Sequence, residues 1–201
     1  MLMPGAALLA PAAAFGLAMS LAFSFAAQGQ DADPPALHAI VEAPACTTPK
    51  GEPVLFIESS QGSPDMAAGM AVRDADGRPV VFRSNYAAVT SDFQRFIDRH
   101  ECAHHQTGDV DRPHPPRNSA DHLMNESISD CIAILRLRDE EGYDRAGFDR
   151  VAAALRREMA KIGFPEISIS SRISNIETCY GTYGPPADFV AKILKRRGQG
   201  R

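Results

Sequence analysis

The sequence predicts an α+β fold, with a small, mostly antiparallel sheet first and a helical part after it. Two observations carry this expectation. Short apolar and β-branched runs, separated by turn residues, are confined to positions before residue 84. From residue 91 onward, apolar positions recur at helical spacing, and glycines or prolines divide the periodic stretches.

Taken in order, Val54-Leu55-Phe56-Ile57 reads as a first strand, and Met66 to Arg73 as a second. Asp74-Ala75-Asp76-Gly77 is a turn, after which Pro79 to Arg83 returns as a third strand carrying Val80, Val81 and Phe82. The stretch Gly69, Met70, Ala71, Val72 and Arg73 is expected at the sheet edge. A helix follows, for which Ser91 and Gln94 form a capping-box pattern. Phe93, Phe96, Ile97, His100 and His104 fall on one face of it, and Gly108 is a natural stop. A loop with three prolines spans Asp109 to Arg117. The second helix starts at Asn118 or Ser119 and runs to about Glu141, closed by Gly142. Its apolar residues (Leu123, Met124, Ile128, Ile132, Ile134, Leu135, Leu137) cover much of its circumference, which predicts a central position. Phe148, Val151, Ala152, Leu155, Met159 and Ile162 mark a third helix ending at Gly163 and Pro165. Glu166 to Pro186 shows no clear pattern. Asp188 to Arg196 reads as a last short helix.

The chain has 201 residues, with 44% hydrophobic and 23% charged, an ordinary balance for a soluble domain. Met1 to Gln30 holds no charged side chain, and Ala6 to Ala27 is almost wholly apolar. Ser24 and Ala26 fit a signal peptidase site, so residues 1–26 read as a signal peptide. The segment lacks Lys and Arg, and it is long enough to span a bilayer if retained as an anchor. Residues 27–52, rich in Ala, Pro and Asp, read as a linker or irregular N-terminal strap, and 53–197 as one folded domain. Localisation is expected to be periplasmic or secreted. The net charge of −4 argues against a nucleic-acid partner. The basic C-terminal residues, among them Lys195, Arg196 and Arg197, read as a solvated helix end. Four cysteines suit an oxidising compartment, with Cys102–Cys131 and Cys46–Cys179 as the expected pairs. None of them has zinc-knuckle spacing.

The chemistry is concentrated in His100-Glu101-Cys102-Ala103-His104, an H-E-x-x-H pattern. Residues four apart on a helix lie about 40° apart around its axis, so both imidazoles can reach one metal ion. Glu101 is rotated by about 100° and can address a water instead. A hydrolytic zinc site wants three protein ligands and an open position. The metzincin arrangement fails, because Val110 stands where its third histidine belongs and Thr107 where its glycine does. The second helix instead carries Asn125-Glu126-Ser127-Ile128-Ser129-Asp130. Buried carboxylates need a charged partner or a metal, and Glu126 as third ligand with Asp130 as acceptor for an imidazole N–H satisfies both; the alternative is a pair of surface carboxylates on the helix's wet side.

H-E-x-x-H followed by N-E-x-x-S-D resembles the thermolysin-like, gluzincin class of zinc peptidases, in a pared-down size. The resemblance covers about 60 residues. It implies one zinc per chain on His100, His104 and Glu126, Glu101 as general base, and Asp130 supporting a ligand histidine. It also implies an edge strand that pairs with an extended peptide substrate, here Gly69 to Val72. Such enzymes carry a later histidine that steadies the transition state, and no histidine follows His122. Tyr180, Tyr183, Arg172 and His122 are the donors that could replace it. The expected function is zinc-dependent peptide hydrolysis, and the alternative is a catalytically silent, zinc-stabilised exported binding domain.

Overall fold

The computed structural model describes residues 37–59 and 67–199. The expected signal peptide and residues 27–36 of the expected linker lie outside them. Three strands, β1 (Leu55–Ser59), β2 (Ala68–Arg73) and β3 (Pro79–Ser84), form one sheet in the order β1-β3-β2. β3 is central because its run Pro79-Val80-Val81 is buried at consecutive positions, and a strand buried on both faces must sit between neighbours. β2 pairs with it antiparallel across the Asp74–Gly77 turn, with Ala71 opposite Val81. β1 pairs with it parallel, with Phe56 opposite Val81. The sheet is therefore mixed rather than mostly antiparallel. The β2–β3 hairpin occupies one side of β3, which leaves β1 the other side and the opposite orientation. β2 is an edge strand.

A 3-10 turn at Tyr86–Ala88 leads into α1 (Ser91–Gln106), followed by α2 (Ala120–Glu140), α3 (Arg145–Lys161), α4 (Glu166–Thr182) and α5 (Pro186–Arg196). The architecture is α+β. α2 is the central helix, and its residues Ile132, Ile134, Leu135 and Leu137 are fully buried. Only its C-terminal half is enclosed, since Leu123 and Met124 stay more than half exposed. Ser119 caps α2, its Oγ accepting from the His122 N–H.

The capping box expected at α1 does not form. Thr90 is the N-cap, and Gln94 is buried instead. Its Oε1 accepts from the Val41 N–H, and its amide reaches the Ala39 and Tyr86 carbonyls. The irregular strap before β1 has unpaired backbone groups, and a glutamine with both a donor and an acceptor satisfies them. α4 occupies the segment that carried no pattern. Its serines and isoleucines are poor helix formers, so burial of Ile169 and Ile176 holds it rather than propensity.

Two buried devices fix α1 against the sheet. Arg83 on β3 donates to both oxygens of Asp98, from Nε at 2.9 Å and from Nη2 at 2.5 Å, and its Nη1 also reaches Glu58 on β1 at 3.0 Å. Removing one partner from such a buried pair costs about 3–5 kcal/mol. His105, in the same turn as His104, donates from Nε2 to the Val80 carbonyl at 2.9 Å.

The disulfides are Cys46–Cys102 and Cys131–Cys179, not the pairing expected from the sequence. Cys102 lies two positions from His100, which is about 200° around α1. The histidines face α2, so Cys102 must face the strap, where it packs with Cys46, Val54 and Val81. Cys131 faces α4. The bonds close loops of 56 and 48 residues, each constraining the unfolded chain by about 4 kcal/mol. Two disulfides are consistent with an exported protein. Among the described residues, no helix is long and apolar enough to cross a membrane.

Candidate metal centre

α1 and α2 meet where the two motifs lie. His100 Nε2 and His104 Nε2 are 3.1 Å apart. Glu126 Oε2 is 3.3 Å from His100 Nε2, and Glu126 Oε1 is 3.5 Å from His104 Nε2. These three residues form a group that could hold a metal ion. Ligands at 2.0–2.1 Å in tetrahedral positions are about 3.3 Å from one another, so the donors already stand at the required separations.

The outer nitrogens explain why the inner ones converge. His100 Nδ1–H donates to Asp130 Oδ1 at 2.8 Å, and His104 Nδ1–H to Asp109 Oδ2 at 3.1 Å. A carboxylate only accepts, so each Nδ1 carries hydrogen and each Nε2 lone pair turns inward. Two lone pairs and a carboxylate facing one another need a cation between them, a proton or a metal ion. Asp130 is 1% exposed and is gripped by Arg172, from Nε at 2.5 Å and from Nη2 at 2.7 Å. Such bidentate support fixes the carboxylate that orients His100.

Without metal, a proton occupies this place. Burial lowers the His100 pKa, but the hydrogen bonds it donates to Asp130 and Glu126 outweigh this and push it up to about 10. Burial raises Glu126, and the His100 hydrogen bond and charge more than offset this, holding it well below the usual carboxylate range. A raised pKa on a base stabilises the metal-free fold fully below the ordinary imidazole value of about 6.5. That contribution disappears as pH rises through about 10. A metal ion must displace the proton, so metal affinity is expected to rise about tenfold per pH unit between pH ~7 and ~9. Competition titrations against a chelator of known pH dependence measure this slope. A flat profile would show that His100 releases no proton on metal binding in this range.

Glu101 lies on the β2 side of α1. Its Oε2 accepts the Ala71 N–H at 2.8 Å, which fixes how the carboxylate faces the cleft. This close approach requires Gly69, because a Cβ there would stand 2.4 Å from Glu101 Cγ and 2.8 Å from Ile97 Cγ2. Gly69→Ala is accordingly expected to retain metal while displacing Glu101 and lowering any hydrolytic rate at least tenfold. Metal content and turnover measured on one sample decide it, and unchanged turnover would show that Glu101 does not depend on this contact.

Gly69, Met70, Ala71, Glu101, His100, His104, Glu126, His122 and His114 line one cleft of about 260 Å³. His122 therefore stands at the site, with Nε2 4.0 Å from Glu126 Oε1. The other sequence-selected donors do not line the cleft. Tyr180 donates its hydroxyl to the Tyr143 carbonyl, Tyr183 packs on Phe189, and Arg172 is bound to Asp130. Val72 belongs to β2 but does not line the cleft.

The sequence reading missed Asp109, Ser129 and the role of Asn125. Ser129 Oγ lies 3.2 Å from His104 Nδ1. Asp109 had a readable signal: an acidic residue one position past the helix-stopping Gly108 folds back onto the last turn, where His104 lies. No known protein family, characterised protein or solved structure was found to match the chain.

Proposed function

We propose that the chain is an exported zinc-dependent peptidase, a small relative in kind of the gluzincin class. The observation that carries this reading is the convergence of two inward imidazole nitrogens and a carboxylate beside a glutamate held against an edge strand. Two imidazoles and one carboxylate suit zinc and leave one position open. A zinc ion would be held by His100, His104 and Glu126 and would supply Lewis acidity, acidifying a water and polarising a carbonyl. Glu101 accepts the proton of the attacking water and passes it to the leaving nitrogen. Among the described residues no strand covers the side of β2 away from β3, where the backbone groups flanking the Ala71 N–H would align an extended peptide by hydrogen bonds. Asp130 and Asp109 keep both imidazoles in the tautomer that presents Nε2.

His122 is the donor assigned to the developing oxyanion. Its Nδ1 accepts from the Asn118 N–H, so the neutral ring carries its hydrogen on Nε2, on the Glu126 side. That makes it a hydrogen-bond donor rather than a metal ligand. His122→Ala is expected to lower kcat by about 100-fold with zinc retained and KM little changed. A variant with normal kcat would return the role to another group.

The rival reading is a zinc-stabilised binding domain without turnover. It is favoured by one observation, that Glu101 is already engaged by Ala71. The deciding experiment incubates the metal-loaded full chain with a diverse peptide mixture and identifies products by mass spectrometry. The reading expects cleavage that a chelator abolishes and zinc restores. Zinc-loaded protein that cleaves nothing supports the rival.

A further inference from the structure

We infer that Arg197, at the C-terminal end of α5, is a positioning residue of the metal centre. This inference rests on the metal site proposed above. The side chain is only 9% exposed, unlike a cation solvated at a helix end. Its Nη1 donates to the Thr107 carbonyl at 2.8 Å and to Asp109 Oδ1. Its Nη2 donates to Asn125 Oδ1 at 2.7 Å. Thr107 is the C-cap of α1, the helix that bears His100 and His104. Asp109 is the carboxylate that takes the His104 Nδ1–H. Asn125 directly precedes Glu126 on α2. One planar cation thus fastens together the end of the first ligand helix, the carboxylate orienting one ligand, and the neighbour of the third.

The two Asp109 oxygens divide their work. Oδ2 faces His104 and Oδ1 faces Arg197. The carboxylate side chain is 8% exposed. Without Arg197 its charge lacks a fixed partner on that side, and turning towards water takes Oδ2 away from His104. His104 then loses the acceptor that fixes its tautomer and ring plane, and its Nε2 no longer points reliably at the other two donors. A lysine carries the charge but not the fork that reaches three acceptors at once. Chain geometry delivers the fork: the Arg197 N–H closes α5 on the Ile193 carbonyl, and Gly198, at φ 71°, turns the chain back so that Gln199 lies against Gly108.

The test measures zinc affinity of the full chain, disulfides intact, by chelator competition. It compares wild type with Arg197→Met, Arg197→Lys, Asp109→Asn, and Arg197→Met combined with Asp109→Asn. Thermal melting of each zinc-free protein is recorded alongside. The expected result is a 10- to 100-fold loss of affinity in Arg197→Met. Arg197→Lys recovers only part of it. The double variant loses less affinity than the two single losses combined, because both changes act in part through His104, while Arg197 also holds Thr107 and Asn125. A purely structural role would lower the melting temperature and leave the affinity of the folded fraction intact. Affinity within twofold of wild type in Arg197→Met, or fully additive losses in the double variant, overturns the inference. If Arg197→Met does not fold, Arg197→Lys decides: wild-type affinity there overturns it as well. A wild-type chain with no zinc affinity removes the peptidase reading together with this one. A zinc-binding wild type with an unaffected Arg197→Met removes this one alone.

Discussion

Glu101→Gln is expected to bind about one zinc per chain and to hydrolyse peptides at least 100-fold more slowly than wild type. The substitution keeps the shape of the side chain and its contact with β2, since the glutamine amide oxygen can still accept the Ala71 N–H. What it removes is the ability to take a proton from the attacking water. General-base assistance contributes about 10²–10⁴ in rate, so the loss falls on kcat rather than on binding. Zinc content should not change, because Glu101 is not among His100, His104 and Glu126, the three side chains that could hold an ion. Activity above a few per cent of wild type, in a sample with verified metal, would deny Glu101 this role. The paired measurement separates Glu101→Gln from Gly69→Ala, which moves the base without abolishing its chemistry.

Glu126→Ala is expected to lose most of its zinc. Glu126 faces both Nε2 atoms, from Oε2 at 3.3 Å and from Oε1 at 3.5 Å, and is the only anion among the three donors. Removing it leaves two neutral imidazoles, which hold zinc far more weakly than a three-ligand set. It also removes one of the two carboxylates that raise the pKa of His100, so the metal-free protein should release that proton at lower pH. Zinc content after dialysis against a weak chelator and NMR titration of the His100 ring test the two parts. Full zinc occupancy in the variant would move the third ligand elsewhere, Asp130 being the nearest remaining carboxylate on α2.

The α+β class and the convergence of His100, His104 and Glu126 were legible because each rests on local periodicity. Four residues from His100 to His104 fix two imidazoles on one face, and four from Glu126 to Asp130 place two carboxylates one turn apart. Helical rotation places Cys102 on the wrong side of α1 to meet Cys131, which excludes one pairing but leaves Cys46 and Cys179 both open as its partner. Other features depended on contacts far apart in sequence. Gln94 fits a local capping rule, but the strap around Val41 makes a stronger demand on it. α4 has little helical signal of its own, because packing against α2 determines it. Arg197 has the sequence pattern of an ordinary cation at a helix end, and nothing local says that Thr107, Asp109 and Asn125, which lie 90, 88 and 72 positions away, close around it. The parallel β1–β3 pairing likewise follows from the order in which strands fill the two sides of β3, and strand content does not report that order.

The central claim is that His100, His104 and Glu126 hold one catalytic zinc. Elemental analysis of the full chain, purified without a metal-affinity tag, tests it most directly when wild type and His104→Ala are compared. The account predicts about one zinc per wild-type chain and little in the variant. No zinc in either protein, or equal zinc in both, would contradict it.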